Sequence, residues 1–122
     1  LRSGELIYVN AGHNPPLLVR GNCEIVPLDG GGPVLGILPT MRYEERRGSM
    51  ESGDLLLLYS DGVTEACNPA GFEFSERLNA LLLERRGENA AGIVKAVHEA
   101  VSAWTGGRPA ADDVTVVAAR RC

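Results

Sequence analysis

The segment Leu55-Leu56-Leu57-Leu58-Tyr59 sets five apolar, β-prone residues in a row and breaks off into Ser60-Asp61-Gly62. Its length and its flanking turn residues, Glu51-Ser52-Gly53-Asp54 before and Asp-Gly after, predict a fully buried strand. A second segment couples acid and strand in the opposite order: Asp112-Asp113 precede Val114-Thr115-Val116-Val117 and are expected to open a strand. If the two strands lie antiparallel and adjacent, Asp61 and Asp112 meet at one edge of one sheet. Carboxylates fixed on rigid strand ends suit a hard divalent cation. Two neighbouring aspartates repel each other, which makes a cation at Asp112 and Asp113 a natural complement.

The rest of the chain is consistent with such a sheet. Residues 5–9 alternate as a strand, and Asn10-Ala11-Gly12-His13-Asn14-Pro15-Pro16 forms a sharp loop before the strand Leu17-Leu18-Val19-Arg20. Gly21-Asn22 predicts a two-residue hairpin turn, with Cys23-Glu24-Ile25-Val26 returning beside the preceding strand. Residues 29–33 read as a flexible loop, residues 34–38 as a short buried stretch, and residues 41–47 as an exposed strand. After Asn68-Pro69-Ala70-Gly71 the period changes to helical. Phe74, Leu78, Leu81, Leu82 and Arg85 share a face that ends at Gly87. A second helix from about Glu88 carries Ile93, Val94, Val97, Val101 and Trp104, and a last strand spans 114–119. Many strands, two helices and a returning strand predict an α+β domain with a layered antiparallel sheet rather than a βαβ wind.

At 122 residues the chain is one small domain, and residues 1–122 are read as a single unit. Its first residue is Leu1 rather than Met, so the expectation is a portion of a longer protein. The net charge is −4 and no basic stripe with interleaved aromatics is present, which argues against a nucleic-acid partner. No apolar run approaches the roughly 20 residues of a membrane span. Cys23, Cys67 and Cys122 are odd in number, far apart and without a C-x-x-C pair, so reduced thiols in a cytoplasmic protein are expected rather than zinc or disulfides. The single lysine, Lys95, lies in a helix, and no P-loop exists.

Several residues have a plain reading. Gly62 permits a turn that a Cβ would block. His13 holds its loop rather than acting as a general acid, and Asn14 bonds its own backbone in an Asx turn. His98 faces solvent, Trp104 continues an apolar stripe, and the pairs Arg46-Arg47 and Arg85-Arg86 are solvated faces. Asp54 stands seven residues before Asp61 across a strand, roughly 23 Å away at the other end. Glu65, just past the Asp-Gly corner, orients the loop.

Three motifs in order, Ala-Gly-His-Asn-Pro-Pro at 11–16, Leu-Leu-Tyr-Ser-Asp-Gly-Val-Thr-Glu-Ala at 57–66 and Asp-Asp-Val-Thr-Val-Val at 112–117, together resemble the C-terminal part of a SpoIIE/RsbU-type serine phosphatase. That is the bacterial branch of the metal-dependent, protein phosphatase 2C-like (PPM) group. The resemblance covers nearly the whole chain. It implies a β-sandwich flanked by helices, with a two-metal centre of Mn²⁺ or Mg²⁺ at one edge. It also implies Asp61 and Asp112 as catalytic metal ligands, and Asp113 as a further or alternative ligand. Gly62, His13 and Asn14 would support the site. The implied substrate is a phosphoserine on a bacterial regulatory protein of the anti-sigma-factor-antagonist type.

The family's first acidic motif, an Asp-Gly at a strand end, is absent from this sequence. The chain is therefore expected to carry half of the metal site, to be inactive alone, and to form homodimers or swap strands through exposed edges. The competing reading is a degenerate phosphatase-like module that binds a partner without catalysis.

Overall fold

The computed structural model describes residues 3–109 and 111–122. Along the chain run β1 (Glu5–Tyr8), β2 (Asn10–Ala11), β3 (Leu17–Val19), β4 (Ile25–Pro27), β5 (Gly31–Gly32), β6 (Arg46–Ser49) and β7 (Leu55–Tyr59). The helices α1 (Asp61–Thr64), α2 (Ser75–Glu84) and α3 (Ala90–Trp104) follow, and β8 (Val116–Arg120) completes the order. Four strands form the main sheet in the order β4-β3-β7-β8, with every pair antiparallel. β1 and β6 form a separate antiparallel ribbon, and β2 pairs in parallel with β5. The α+β, layered antiparallel architecture expected from the sequence is the one observed. The rest of a sandwich is represented among the described residues by the two small ribbons alone.

The core lies between one face of the main sheet and the two long helices. Leu17, Val19, Leu55, Leu57 and Tyr59 meet Leu78 and Leu82 of α2 and Ile93, Val97 and Val101 of α3, with Val63 and Phe74 closing the ends. Each such side chain contributes about 1.5–3 kcal/mol through burial. The four-residue spacing within each helix puts these residues on one stripe. Asn89 starts α3 by accepting the Gly92 N–H at 2.8 Å. Trp104 is half-buried, sits edge-on to Phe74 with ring centroids 6.0 Å apart, and donates its indole N–H to Phe72 O at 2.9 Å. No helix among the described residues is long and apolar enough to cross a membrane.

Several local expectations are corrected. β7 is not buried on both faces: Leu55, Leu57 and Tyr59 are buried while Leu56 and Leu58 are half-buried, because the helices cover only one face. The β3–β4 turn has three residues rather than two. Cys23 N–H bonds Arg20 O, Arg20 N–H bonds Glu24 O, and Cys23 takes the left-handed conformation at φ 71°. The stretch 34–38 is not buried: Val34, Leu35, Ile37 and Leu38 are each more than half exposed. The strand expected at 41–47 begins only at Arg46, and the presumed flexible loop at 29–33 contains β5. Asp112 and Asp113 lie in a loop, because β8 begins at Val116. The three cysteines are exposed and unpaired with one another.

Asp54, at the start of β7, is almost fully buried. It accepts Arg20 Nη1 at 2.7 Å, Glu51 N–H at 2.9 Å and Gly21 N–H at 3.1 Å, so it ties the β3–β4 turn to the turn before β7. Burial pushes its carboxyl up. The bonds from Glu51, Arg20 and Gly21 outweigh burial and hold it below the usual carboxylate range. Since the folded value lies below the unfolded one, the stabilisation is complete above about pH 4 and is lost as the pH falls through the folded value. Asp54→Asn is expected to cost about 2–3 kcal/mol near neutrality. Urea melts across pH should show the gap to wild type narrowing on acidification; a pH-independent gap would rule out the charge as its source.

Candidate active site

At the far end of β7 the chain leaves the sheet through Ser60 and turns at once into α1. Ser60 N–H donates to Thr115 O at 3.0 Å, extending the β7–β8 ladder by one bond. Its hydroxyl donates to Asp113 O at 2.6 Å and accepts Thr115 N–H at 2.9 Å. One side chain therefore fastens the Asp61 corner to the loop holding Asp112 and Asp113. The antiparallel, adjacent geometry anticipated from the two acid–strand segments is present in the register Tyr59↔Val116.

Asp61 is the first residue of α1, so the expected Asp-Gly corner is a helical turn. Its Oδ1 accepts the Gly62 N–H at 3.1 Å, and its carbonyl accepts the Glu65 N–H at 2.8 Å. Asp112 repeats the arrangement, with Oδ1 accepting the Asp113 N–H at 2.7 Å. Gly62 is buried against the opposite loop: a Cβ there would stand 2.5 Å from Asp113 O and 3.1 Å from Asp112 O. A Cβ is thus blocked at this corner, as the sequence reading expected, and what blocks it is the backbone of the opposite loop.

Asp61, Asp112 and Asp113 are exposed, and none makes an ion pair with a described Arg, Lys or His. Uncompensated carboxylates on two chain segments fastened together are the hard oxygen donors a divalent cation takes. In kind, the donor set fits Mn²⁺ or Mg²⁺. In number it is short, because no group of three or more His, Cys, Asp or Glu among the described residues is arranged to hold a metal. Burial pushes the neighbouring Tyr59 phenol up, so it is neutral at physiological pH.

The loop before β3 leaves from this same end of the sheet, since Leu17 pairs with Leu57. His13 and Asn14 make no bond to the three aspartates among the described residues. His13 Nδ1 lies 2.9 Å from Asn14 O, and both His13 backbone groups are held by Asn10. The Asx-type clasp therefore belongs to Asn10, not Asn14. Asp54 sits at the opposite end, as its spacing required. Sequence reasoning missed Ser60, whose only local signal is a hydroxyl immediately before an acid.

The family model "Stage II sporulation protein E (SpoIIE)" matches residues 1–122. Protein IcfG of Synechocystis sp. is 26% identical over 121 residues, covering 99% of this chain and 19% of its own length. Phosphoserine phosphatase RsbU of Bacillus subtilis is 31% identical over 98 residues, covering 80% of this chain and 29% of its own. The chain thus spans less than a third of either relative. The structure of the PP2C phosphatase domain, with a fragment of the regulatory domain, of the cell fate determinant SpoIIE from Bacillus subtilis superimposes with a TM-score of 0.78. That match has 22% identity and covers 98% of this chain and 35% of that one.

Gly62→Ala separates the two roles of this glycine. Alanine is the better helix former by about 1 kcal/mol, yet overpacking against Asp113 O is expected to destabilise the fold by about 1–3 kcal/mol. A urea melt showing net stabilisation would mean that α1 and the 112–113 loop are not in contact.

Proposed function

Because the chain belongs to the SpoIIE family and has the fold of a PP2C-type phosphatase domain, we propose that it forms the C-terminal portion of one metal-dependent protein serine/threonine phosphatase domain. The substrate in this reading is a phosphoserine on a bacterial regulatory protein of the anti-sigma-factor-antagonist type, in the cytoplasm. The observation that carries it is the fastening of the corner before Asp61 to the loop that carries Asp112 and Asp113, through Ser60 bonds to Asp113 O and Thr115 N–H. An acidic edge held this way suits a catalytic cation, and a relative 31% identical is itself named a phosphoserine phosphatase.

When bound, two Mn²⁺ or Mg²⁺ ions supply a hydroxide at neutral pH and offset phosphoryl charge. The chain's own part is positional. Asp61 and Asp112 each commit one carboxylate oxygen to a neighbouring N–H, which fixes the carboxylate and leaves the second oxygen for a cation. Asp113 adds negative charge at the same edge. Gly62 lets the two backbones approach, and Ser60 holds their spacing. His13 and Asn14 shape the adjacent loop. No side-chain nucleophile is needed in this scheme.

A second reading, a binding module without catalysis, is favoured because no three His, Cys, Asp or Glu side chains among the described residues, the three aspartates included, are arranged to hold a metal. In the catalytic reading, the remaining ligand comes from a segment outside this sequence, and the chain alone hydrolyses nothing. The strands β4 and β8 end the main sheet with no further strand beyond them among the described residues, which favours a homodimer or strand swap.

Calorimetric titration of the chain with Mn²⁺ tests the assignment. Wild type is expected to bind, with Asp61→Asn and Asp112→Asn each weakening affinity by about tenfold or more. Binding that survives both substitutions would remove these aspartates from the site. Phosphate release from a phosphoserine peptide by a chain that also carries the upstream acidic segment then separates enzyme from binding module.

A further inference from the structure

The end of the sheet remote from the aspartates has the opposite electrostatic character. A cavity of about 220 Å³ opens there, lined by Arg20 from the β3–β4 turn, Arg86 from the loop after α2, Arg120 from the end of β8, and the glycines Gly21, Gly53 and Gly87. Arg20 Nη1 is bonded to Asp54 and to Ser49 O. Arg86 Nη1 donates to Leu83 O at 3.0 Å. Arg120 donates to Gly53 O at 2.8 Å and to Arg86 O at 2.5 Å, and its buried Nε has no partner among the described residues.

The charges do not balance. Asp54 offsets one of the three guanidinium groups. Arg86 and Arg120 make no ion pair among the described residues. Their bonds to carbonyls at the end of α2 engage a helix terminus worth about half a negative charge. That is well short of two whole positive charges. A phosphate group carries about −1.5 to −2 at neutral pH, which matches the remainder. Arginine presents a planar fork of donors suited to phosphate oxygens. At the three lining glycines nothing among the described residues lies within 4 Å of where a Cβ would stand, which leaves open space for an anion beside the guanidinium groups. The cavity is smaller than the roughly 300–1,000 Å³ of pockets that enclose drug-sized molecules, so a small anion is the appropriate occupant.

We propose that the cavity formed by Arg20, Arg86 and Arg120 is a binding site for a tetrahedral oxyanion of the phosphate class. It is separate from the aspartate edge, at the opposite end of β7 and β8. It does not rest on the phosphatase reading, and it requires no metal.

The test is a titration of the chain with inorganic phosphate in chelator-containing buffer, against sodium chloride at matched ionic strength. It is followed by calorimetry and by the backbone amide resonances of Gly21, Gly53 and Gly87. Saturable binding with shifts centred on these three glycines is expected. Arg86→Gln, at an exposed position, should weaken it by about tenfold. Arg85→Gln removes the same charge one residue away, where the side chain pairs with Glu88, and should leave affinity within about twofold. Equal weakening by the two variants would reduce the effect to general charge attraction and overturn the proposal. So would shifts located elsewhere, or no saturable response to phosphate in wild type.

Discussion

Everything that positions the acidic edge depends on the antiparallel pairing of β7 with β8. β7 is bonded on both sides, to β3 and to β8, and its core-facing residues are the floor on which both long helices pack. That pairing joins segments on either side of the helical part of the chain. It brings an acid that follows one strand next to acids that precede the other. Ser60 completes the pairing beyond the last regular residue, where a ladder would otherwise fray. Hydrogen bonds of this kind are individually modest, on the order of 1 kcal/mol each. Here three share one residue and settle the relative placement of two loops.

The same two strands give the molecule its polarity. At one end the ladder finishes in carboxylates that make no ion pair among the described residues; at the other it finishes in Asp54 satisfied by three donors and in Arg120, whose Nε has no partner among them. Asp54 and Asp61 are both aspartates next to the same strand. Their environments differ completely: one is buried and bonded by backbone and guanidinium, the other is exposed and, among the described residues, its carboxylate is bonded only by its neighbour's N–H. Residue type alone would not distinguish a structural acid from a candidate ligand. Position relative to the strand's direction does.

Much of this was legible from residues alone. The run at 55–59 was legible as a strand, though not its half-open second face, and the helical spacing of Leu78 and Leu82, then Ile93, Val97 and Val101, located both long helices and the side they bury. The meeting of Asp61 with the 112–113 loop followed from strand direction. What failed has a common cause, namely dependence on contacts distant in sequence. Apolar character at 34–38 predicts burial, but burial needs a covering surface, and these residues face solvent. Ser60 looks like any turn serine until a loop 53 positions away supplies its partner. Gly62 reads as a corner where a Cβ would be blocked, but the backbone that blocks it comes from a loop about 50 positions away. Cys23 adopts a conformation usually left to glycine or asparagine, which no composition rule would assign to it.

The separation between Ser60 and Asp113 also bears on how the molecule assembles. Closing a loop of 53 residues costs about 1.5 kcal/mol more than closing one of ten. Nothing rewards that closure until β8 arrives. α2 and α3 lie wholly inside the loop and can form from local contacts, shortening the effective tether before the strand docks. Chain order therefore places the joining of the two acidic segments late in folding, after the helical hairpin exists, and makes β8 the element whose docking completes the sheet.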